Sequence, residues 1–392
     1  MVLLYENSVM TEGQLLLFVF GLIYLSDCFL WIGKGSVVFI GGIFGGWFPK
    51  FANPYFGTDS GGIASLNLLP PAGRVFCVHL IPVSISPTAI VSYNSQMVKV
   101  AVSTQAVIQQ YPIEQIQKIR NYGKEISING KVFCKCGHFS QAEDLVQLVT
   151  SLKGTPFGER AQLIRRFREQ QYDLNSASHV YSQVKDRTDK VNLFADVLFF
   201  LLFLISPLST FLLGLNRTIL MMAFMMLSLA VIIAVIFYRC HRKMFPRHKA
   251  DRVIEVIKMI ICPPVAIRSA DQFSKNTLSG YSPFVVAHLL LSSEKFKVFA
   301  GELFRYLKYP LIDGSLEKTV LDVVEWNKKI LLEVTEGFFR NIKQDTTEFI
   351  ASPAPVDEKS VAYCPRCLNQ SYTSGGECSD CVGIKTIALT RL

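Results

Sequence analysis

Two long apolar runs, Leu193–Leu215 and Ile219–Phe237, dominate the polarity pattern of this chain. Each is long enough to cross a hydrocarbon core of ~30 Å at about 1.5 Å per helical residue. Only Leu215-Asn-Arg-Thr218 separates them, which predicts a tight helical hairpin with both outer ends on one side. Pro207, inside the first run, predicts a kink. A third run, Leu15–Ile32, contains Ser26 and Asp27 and predicts a further span. It lacks a basic leader and a small-residue cleavage site, so it reads as an anchor and not a signal peptide. The glycine-rich stretch Val37–Phe48 is too short to span and reads as a strand pair leaving the membrane. A fourth crossing there would instead place the N-terminus inside.

Charge sets the orientation. Arg239, Arg242, Lys243, Arg247, Lys249 and Arg252 follow the last apolar run, and Lys185, Arg187 and Lys190 precede the pair, whereas the hairpin tip carries only Arg217. The positive-inside rule puts both outer ends of the hairpin in the cytosol and the N-terminus outside. The formal net charge of +9 is concentrated at these flanks, which argues against nucleic acid as the partner.

Elsewhere the apolar period shortens to two. Ser36–Phe48, Ile63–Leu69, Val75–Leu80, Ala89–Tyr93, Met97–Val102, Glu125–Ile128 and Lys131–Cys136 read as strands, punctuated by Pro70-Pro71, Pro82 and Pro87. Asn129-Gly130 is a two-residue hairpin turn. Ser140-Gln-Ala-Glu143 has the form of a capping box opening a helix, with Gly154 as its left-handed cap and Thr155-Pro156 starting the next helix. About seven strands closed by one helix resembles a small pleckstrin-homology-type barrel, on element order alone.

Arg160, Arg165, Arg166 and Arg168 mark the following helix either as a solvated face or as a stripe against anionic headgroups. Beyond the hairpin, one helix is expected from Ser282-Pro283 to Tyr309-Pro310. A long amphipathic helix follows, with Leu316, Val320, Val323, Ile330 and Val334 on one stripe and Trp326, Phe338 and Phe339 adding bulk. That stripe reads as the core of a packed bundle or as a partner-binding face.

The candidate chemistry lies at the C-terminal end. Cys364-Pro-Arg-Cys367 and Cys378-Ser-Asp-Cys381 give a Cys-x2-Cys-x10-Cys-x2-Cys pattern, in which two tight knuckles aim four sulfurs at one point. Residues 360–386 resemble zinc ribbons. The resemblance implies a structural Zn2+ held by Cys364, Cys367, Cys378 and Cys381, with no open position for hydrolytic chemistry. Iron in a rubredoxin-like site or a redox dithiol pair are the alternatives. Thiolates at this spacing need a reducing compartment, in agreement with the charge-based orientation. Of the remaining cysteines, Cys28, Cys77, Cys240 and Cys262 read as buried thiols. Cys134, Cys136 and His138 alternate onto one strand face, either as a metal site or as core residues. Met221, Met222, Met225 and Met226 read as flexible packing, with a soft-metal site as the alternative. His79, His179 and His288 have no nucleophile or carboxylate at motif spacing, and no phosphate loop, dinucleotide fingerprint or zincin helix appears.

Asp27 and Asp196 are the acids inside the expected spans, both near cytosolic ends, and intramembrane acids are candidates for ion paths. The chain is thus expected to be a multi-pass membrane protein of α+β type. Its parts are an outer N-terminus (1–14), a transmembrane helix (15–32), a β-rich cytosolic domain (33–153), a charged helical connector (154–192), a transmembrane hairpin (193–237), a helical cytosolic region (238–350), a linker (351–362) and a zinc ribbon with its tail (363–392). The general anatomy resembles bacterial membrane proteins, which implies an inner-membrane location. The expected function is a non-catalytic adaptor or scaffold that holds a cytosolic protein partner at the lipid bilayer through the ribbon and the amphipathic helix. A small transporter using Asp27 and Asp196, which would require a homo-oligomer, is the alternative. A membrane enzyme without a recognisable motif is a third.

Overall fold

The computed structural model describes residues 63–67, 75–79, 83–92, 109–136, 139–201, 205, 217–246, 249–261, 266, 277–309, 317–381 and 383–390. The fold mixes helices with small sheets and divides into two compact units. One comprises residues 1–51, 65–77 and 183–275; the other comprises 52–64, 78–182 and 276–392.

Strands β1 (Ile63–Asn67) and β2 (Val75–His79) pair with each other. Strands β3 (Val83–Ile85), β4 (Ala89–Ser92) and β5 (Gln109–Pro112) form one antiparallel sheet. Strands β6 (Ile119–Tyr122), β7 (Glu125–Ile128) and β8 (Lys131–Lys135) form another. Ile85, Ile90, Ile113, Ile126 and Ile128 are fully buried and meet Leu145, Val149 and Leu152 of helix α1 (Phe139–Gly154) in a single core. Each such side chain contributes about 1.5–3 kcal/mol of burial. Asn129 and Gly130 join β7 to β8 with φ of 51° and 82°, the left-handed pair that a type I′ hairpin requires. Asn129 also anchors the chain upstream: its Oδ1 accepts the Gln117 and Lys118 amides at 2.9 and 3.0 Å, and its Nδ2 donates to the Gln115 carbonyl.

Strands β3, β5 and β6 are not apparent in the sequence pattern. β3 is three residues long, and β5 is a half-buried Gln-Gln-Tyr-Pro without alternation. The expected strands at Ser36–Phe48 and Met97–Val102 lie outside the described residues. Ser140 falls inside α1 instead of ahead of it, and its hydroxyl shares a 2.6 Å hydrogen bond with that of Ser279. Gly154 ends α1 without left-handed φ.

Two of the four arginines of helix α2 (Phe157–Gln171), Arg160 and Arg168, are internal, and Arg165 is held by an ion pair within the chain, so the four do not form the continuous lipid stripe that the sequence allowed. Arg160 and Arg168 are each only 4% exposed. Arg160 donates to the Thr155 and Pro87 carbonyls and pairs with Glu114 at 2.6 Å. Arg168 donates to Gln171 Oε1 and to Asn327 Oδ1, both at 3.2 Å. Arg165 pairs with Glu333, and Arg166 is exposed. Asn327 and Glu333 belong to helix α8, so these cations are spent on joining α2 to the rest of the fold.

Helix α3 runs from Leu174 to Phe200, α4 from Arg217 to Met244 and α5 from Lys249 to Ile261. Among the described residues, one stretch, Phe224–Met244 of α4, is long and apolar enough to cross a membrane, with mean hydropathy 2.0. The described structure thus carries one such candidate where three spans were expected. Leu15–Ile32 lies outside the described residues, as does most of Leu193–Leu215 beyond Phe200.

The helix expected from Pro283 to Tyr309 is two helices, α6 (Pro283–Leu290) and α7 (Ser293–Lys308). The break falls at extended Leu291 and at Ser292, which takes the N-cap position of α7. Helix α8 (Lys318–Asn341) buries Val320, Val323, Ile330 and Val334 as its pattern demands. Val320, Val323 and Val324 pack on Ala89 and Val91 of β4. The stripe is therefore consumed within the chain and is not the partner surface that the sequence also allowed. Phe338 and Phe339 join Phe284, Phe296, Phe304 and Phe349 in an aromatic cluster with ring centroids 5.2–6.4 Å apart.

Candidate metal centre

A three-stranded antiparallel sheet brings the four C-terminal cysteines together. Strand β9 (Ala362–Tyr363) pairs on one side with β10 (Gln370–Ser371) and on the other with β11 (Ile387–Ala388). The first knuckle leaves β9 at Cys364 and turns back into β10. Its turn is closed by the Leu368 amide on the Cys364 carbonyl and the Cys364 amide on the Asn369 carbonyl, both 2.8 Å, with Leu368 at φ 65°. The second knuckle precedes β11. The Cys378 amide donates to the Ile384 carbonyl and the Ile384 amide returns to the Cys381 carbonyl, with Gly383 at φ 79°. Two similar turns thus present two thiols each to one point.

The four sulfurs all lie within 4.8 Å of one another, and Cys367 Sγ is 3.6 Å from Cys378 Sγ. Four sulfurs at ~2.3 Å from a tetrahedral ion stand about 3.8 Å apart, so the cluster has the size that such an ion requires. Cys364, Cys378 and Cys381 are buried and Cys367 is half-buried.

The electrostatics point the same way. Burial, together with the adjoining thiols, pushes Cys367 up to about 11 and raises Cys381. Burial also acts on Cys378, but the Asp380 amide and the neighbouring thiols outweigh it and hold that thiol below its usual range. The Cys367 and Cys381 thiols thus resist ionising, and a divalent cation at the centre of the cluster would remove that resistance. The residues therefore fit a metal ion, which would be held by all four cysteines.

Arg366, inside the first knuckle, ties the ribbon to α7. Its guanidinium lies 4.1 Å from the Tyr306 ring centroid and donates to the Tyr309 carbonyl at 2.6 Å. Burial lowers its pKa, opposed by Cys381 and Tyr306. The segment expected as a free linker is bound to the ribbon as well. Gln370 accepts from the Val356 amide and donates to the Ala354 carbonyl, at 2.8 and 2.7 Å. Asp357 caps the Lys359 and Ser360 amides and accepts from Tyr372. The contacts made by Gln370 and Tyr372 pair residues 14 to 16 apart in the sequence, which no local pattern announces.

Cys134 and Cys136 lie in the buried core of the β-rich part, with the Cys134 thiol raised by its hydrogen bond to Cys136 and by burial. They are core residues; His138 lies outside the described residues. His288 packs edge-on to Phe296, with ring centroids 4.9 Å apart. Asp196 falls on α3, and Asp27 lies outside the described residues. Among the described residues, the four ribbon cysteines are the one group of metal-ligating side chains so clustered.

Comparison of the chain with protein-family models, with curated proteins and with solved structures returned no match.

Proposed function

We propose that this chain is a membrane-anchored adaptor or scaffold that holds a cytosolic protein partner through a zinc ribbon. The observation that carries the reading is the closure of the four-thiolate cluster. Zinc suits an all-sulfur tetrahedral site, and with all four positions taken by cysteine it stabilises the ribbon and leaves no position for a substrate. It would thus stiffen a segment of about 30 residues that has little core of its own.

The anchoring part rests on α4. Only 28% of its most apolar window is buried within the structure, whereas the core helix of a water-soluble domain is mostly covered. In this reading α4 is one of several spans in the cell membrane, and most of the chain lies on the reducing, cytosolic side. The β-rich part is read as a pleckstrin-homology-type module, supported by two small antiparallel sheets followed by α1.

The test is a crosslinking pull-down of the full chain from membranes, wild type against Cys364→Ser. Loss of a specific cytosolic partner is the expected result. Every partner retained while the ribbon unfolds would remove the role assigned to it.

A further inference from the structure

Helix α5 does not leave the end of α4; it returns against it. Met259 is buried in one cluster with Ala230, Ile233, Ala234 and Phe237 of α4. Arg252, only 3% exposed, fixes this return by lying 5.1 Å over the Tyr238 ring and donating to the Phe245 carbonyl at 3.2 Å. The two helices leave a cleft of about 620 Å3 between them.

The cleft is divided by chemistry. Val231 and Val235 of α4 and Val256 and Ile260 of α5 form apolar walls, while Arg239, Arg242 and Lys243 line the other end. These three cations are exposed and have no carboxylate partner among the described residues. The Nε of Arg252, behind Tyr238, is buried with no hydrogen-bond partner among the described residues. Val231 to Lys243 covers twelve residues of helix, about 18 Å, close to the ~15 Å of one leaflet. The apolar surface continues outside the cleft, where Val253, Ile254 and Ile257 of α5 are 38–50% exposed.

We infer that this cleft is a binding site for an anionic phospholipid. One acyl chain lies along the valine and isoleucine walls, and the phosphate meets Arg239, Arg242 and Lys243. The pairing of an apolar slot with a cationic mouth selects this occupant: an apolar peptide would leave the cations unpaired, and a free phosphate would leave the walls bare. The proposal rests on α4 being a membrane helix. It also relocates the lipid-facing charge of the chain, from the internal arginines of α2 to the end of α4.

The test uses the full chain purified in mild detergent and incubated with phosphatidylglycerol or phosphatidylcholine, with retained lipid counted by native mass spectrometry. Wild type is expected to retain phosphatidylglycerol selectively. The triple variant Arg239→Gln/Arg242→Gln/Lys243→Gln is expected to lose roughly a hundredfold in retention, at about fivefold per cation. Val235→Trp, which fills the slot without touching charge, should lose retention too. The control Lys118→Gln/Lys131→Gln/Lys343→Gln should retain it. Equal retention of both lipids, an equal loss in the control, or full displacement by millimolar inorganic phosphate would overturn the site. Alkaline extraction of cell membranes reads the anchoring separately. A chain that stays in the membrane pellet but retains no anionic lipid refutes the site alone; a chain released to the supernatant refutes the anchor.

Discussion

Arg366 stacks on Tyr306 at 4.1 Å, so the side chain between the first two cysteines of the ribbon is also what fastens the ribbon to α7. Metal binding and docking are thereby assigned to adjacent residues with separable roles. Arg366→Ala removes the cation–π contact and the bond to the Tyr309 carbonyl, at a cost of about 1–3 kcal/mol. The expected outcome is faster hydrogen exchange in residues 362–390 with the metal content unchanged. Arg366→Lys should restore little, because an ammonium cannot stack as a planar guanidinium does.

Asn327 is the acceptor for buried Arg168, at 3.2 Å, and burial already lowers the Arg168 guanidinium to about 10. Asn327→Leu leaves that cation without its α8 partner. A loss of about 2–4 kcal/mol in chemical unfolding is expected. The double variant Asn327→Leu/Arg168→Met should recover much of it, since the orphaned charge is what costs.

Gly301 of α7 faces Phe349, and a Cβ there would stand 3.1 Å from Phe349 Cδ1. Gly301→Ala gains about 1 kcal/mol in helix propensity and needs only a small shift of the ring, so its net effect should be near zero. Gly301→Val has no such room and is expected to lower stability by about 1–3 kcal/mol. Thermal melts of the two variants side by side separate propensity from packing.

Asp144 is pushed up to about 6 by burial, with Glu143 adding to the shift. Its folded pKa lies above the unfolded value near 4, so the folded state binds more protons between these values. Stability from this group is present at acid pH and is lost as pH rises through about 6. Asp144→Asn should therefore raise the unfolding free energy at pH 7.5 by an amount on the order of 1–3 kcal/mol, seen as a higher melting temperature, and do little at pH 4.5. A variant that is less stable at pH 7.5 would contradict this.

Local chemistry carried what the sequence revealed. Cysteine spacing placed all four sulfurs of the candidate metal centre, because two Cys-x-x-Cys turns need no distant partner to take shape. Asn129-Gly130 set the β7–β8 hairpin for the same reason, and hydropathy alone marked α4. What stayed hidden depends on long-range contacts. Arg160 and Arg168 look like solvated charges until Pro87, Glu114 and Asn327 are brought to them, the last from 159 residues away. The binding of residues 352–360 to the ribbon was hidden likewise, since a proline-bearing polar segment has the composition of a free linker whether or not Gln370 holds it.

The most direct test of the adaptor account is native mass spectrometry of the full chain, purified with its crosslinked cytosolic partner, as wild type and as Cys364→Ser. The account predicts one zinc per chain and a partner of fixed mass in the wild type, with both lost together in the variant. A wild-type chain without metal, or a partner that stays bound when the metal is gone, would contradict it.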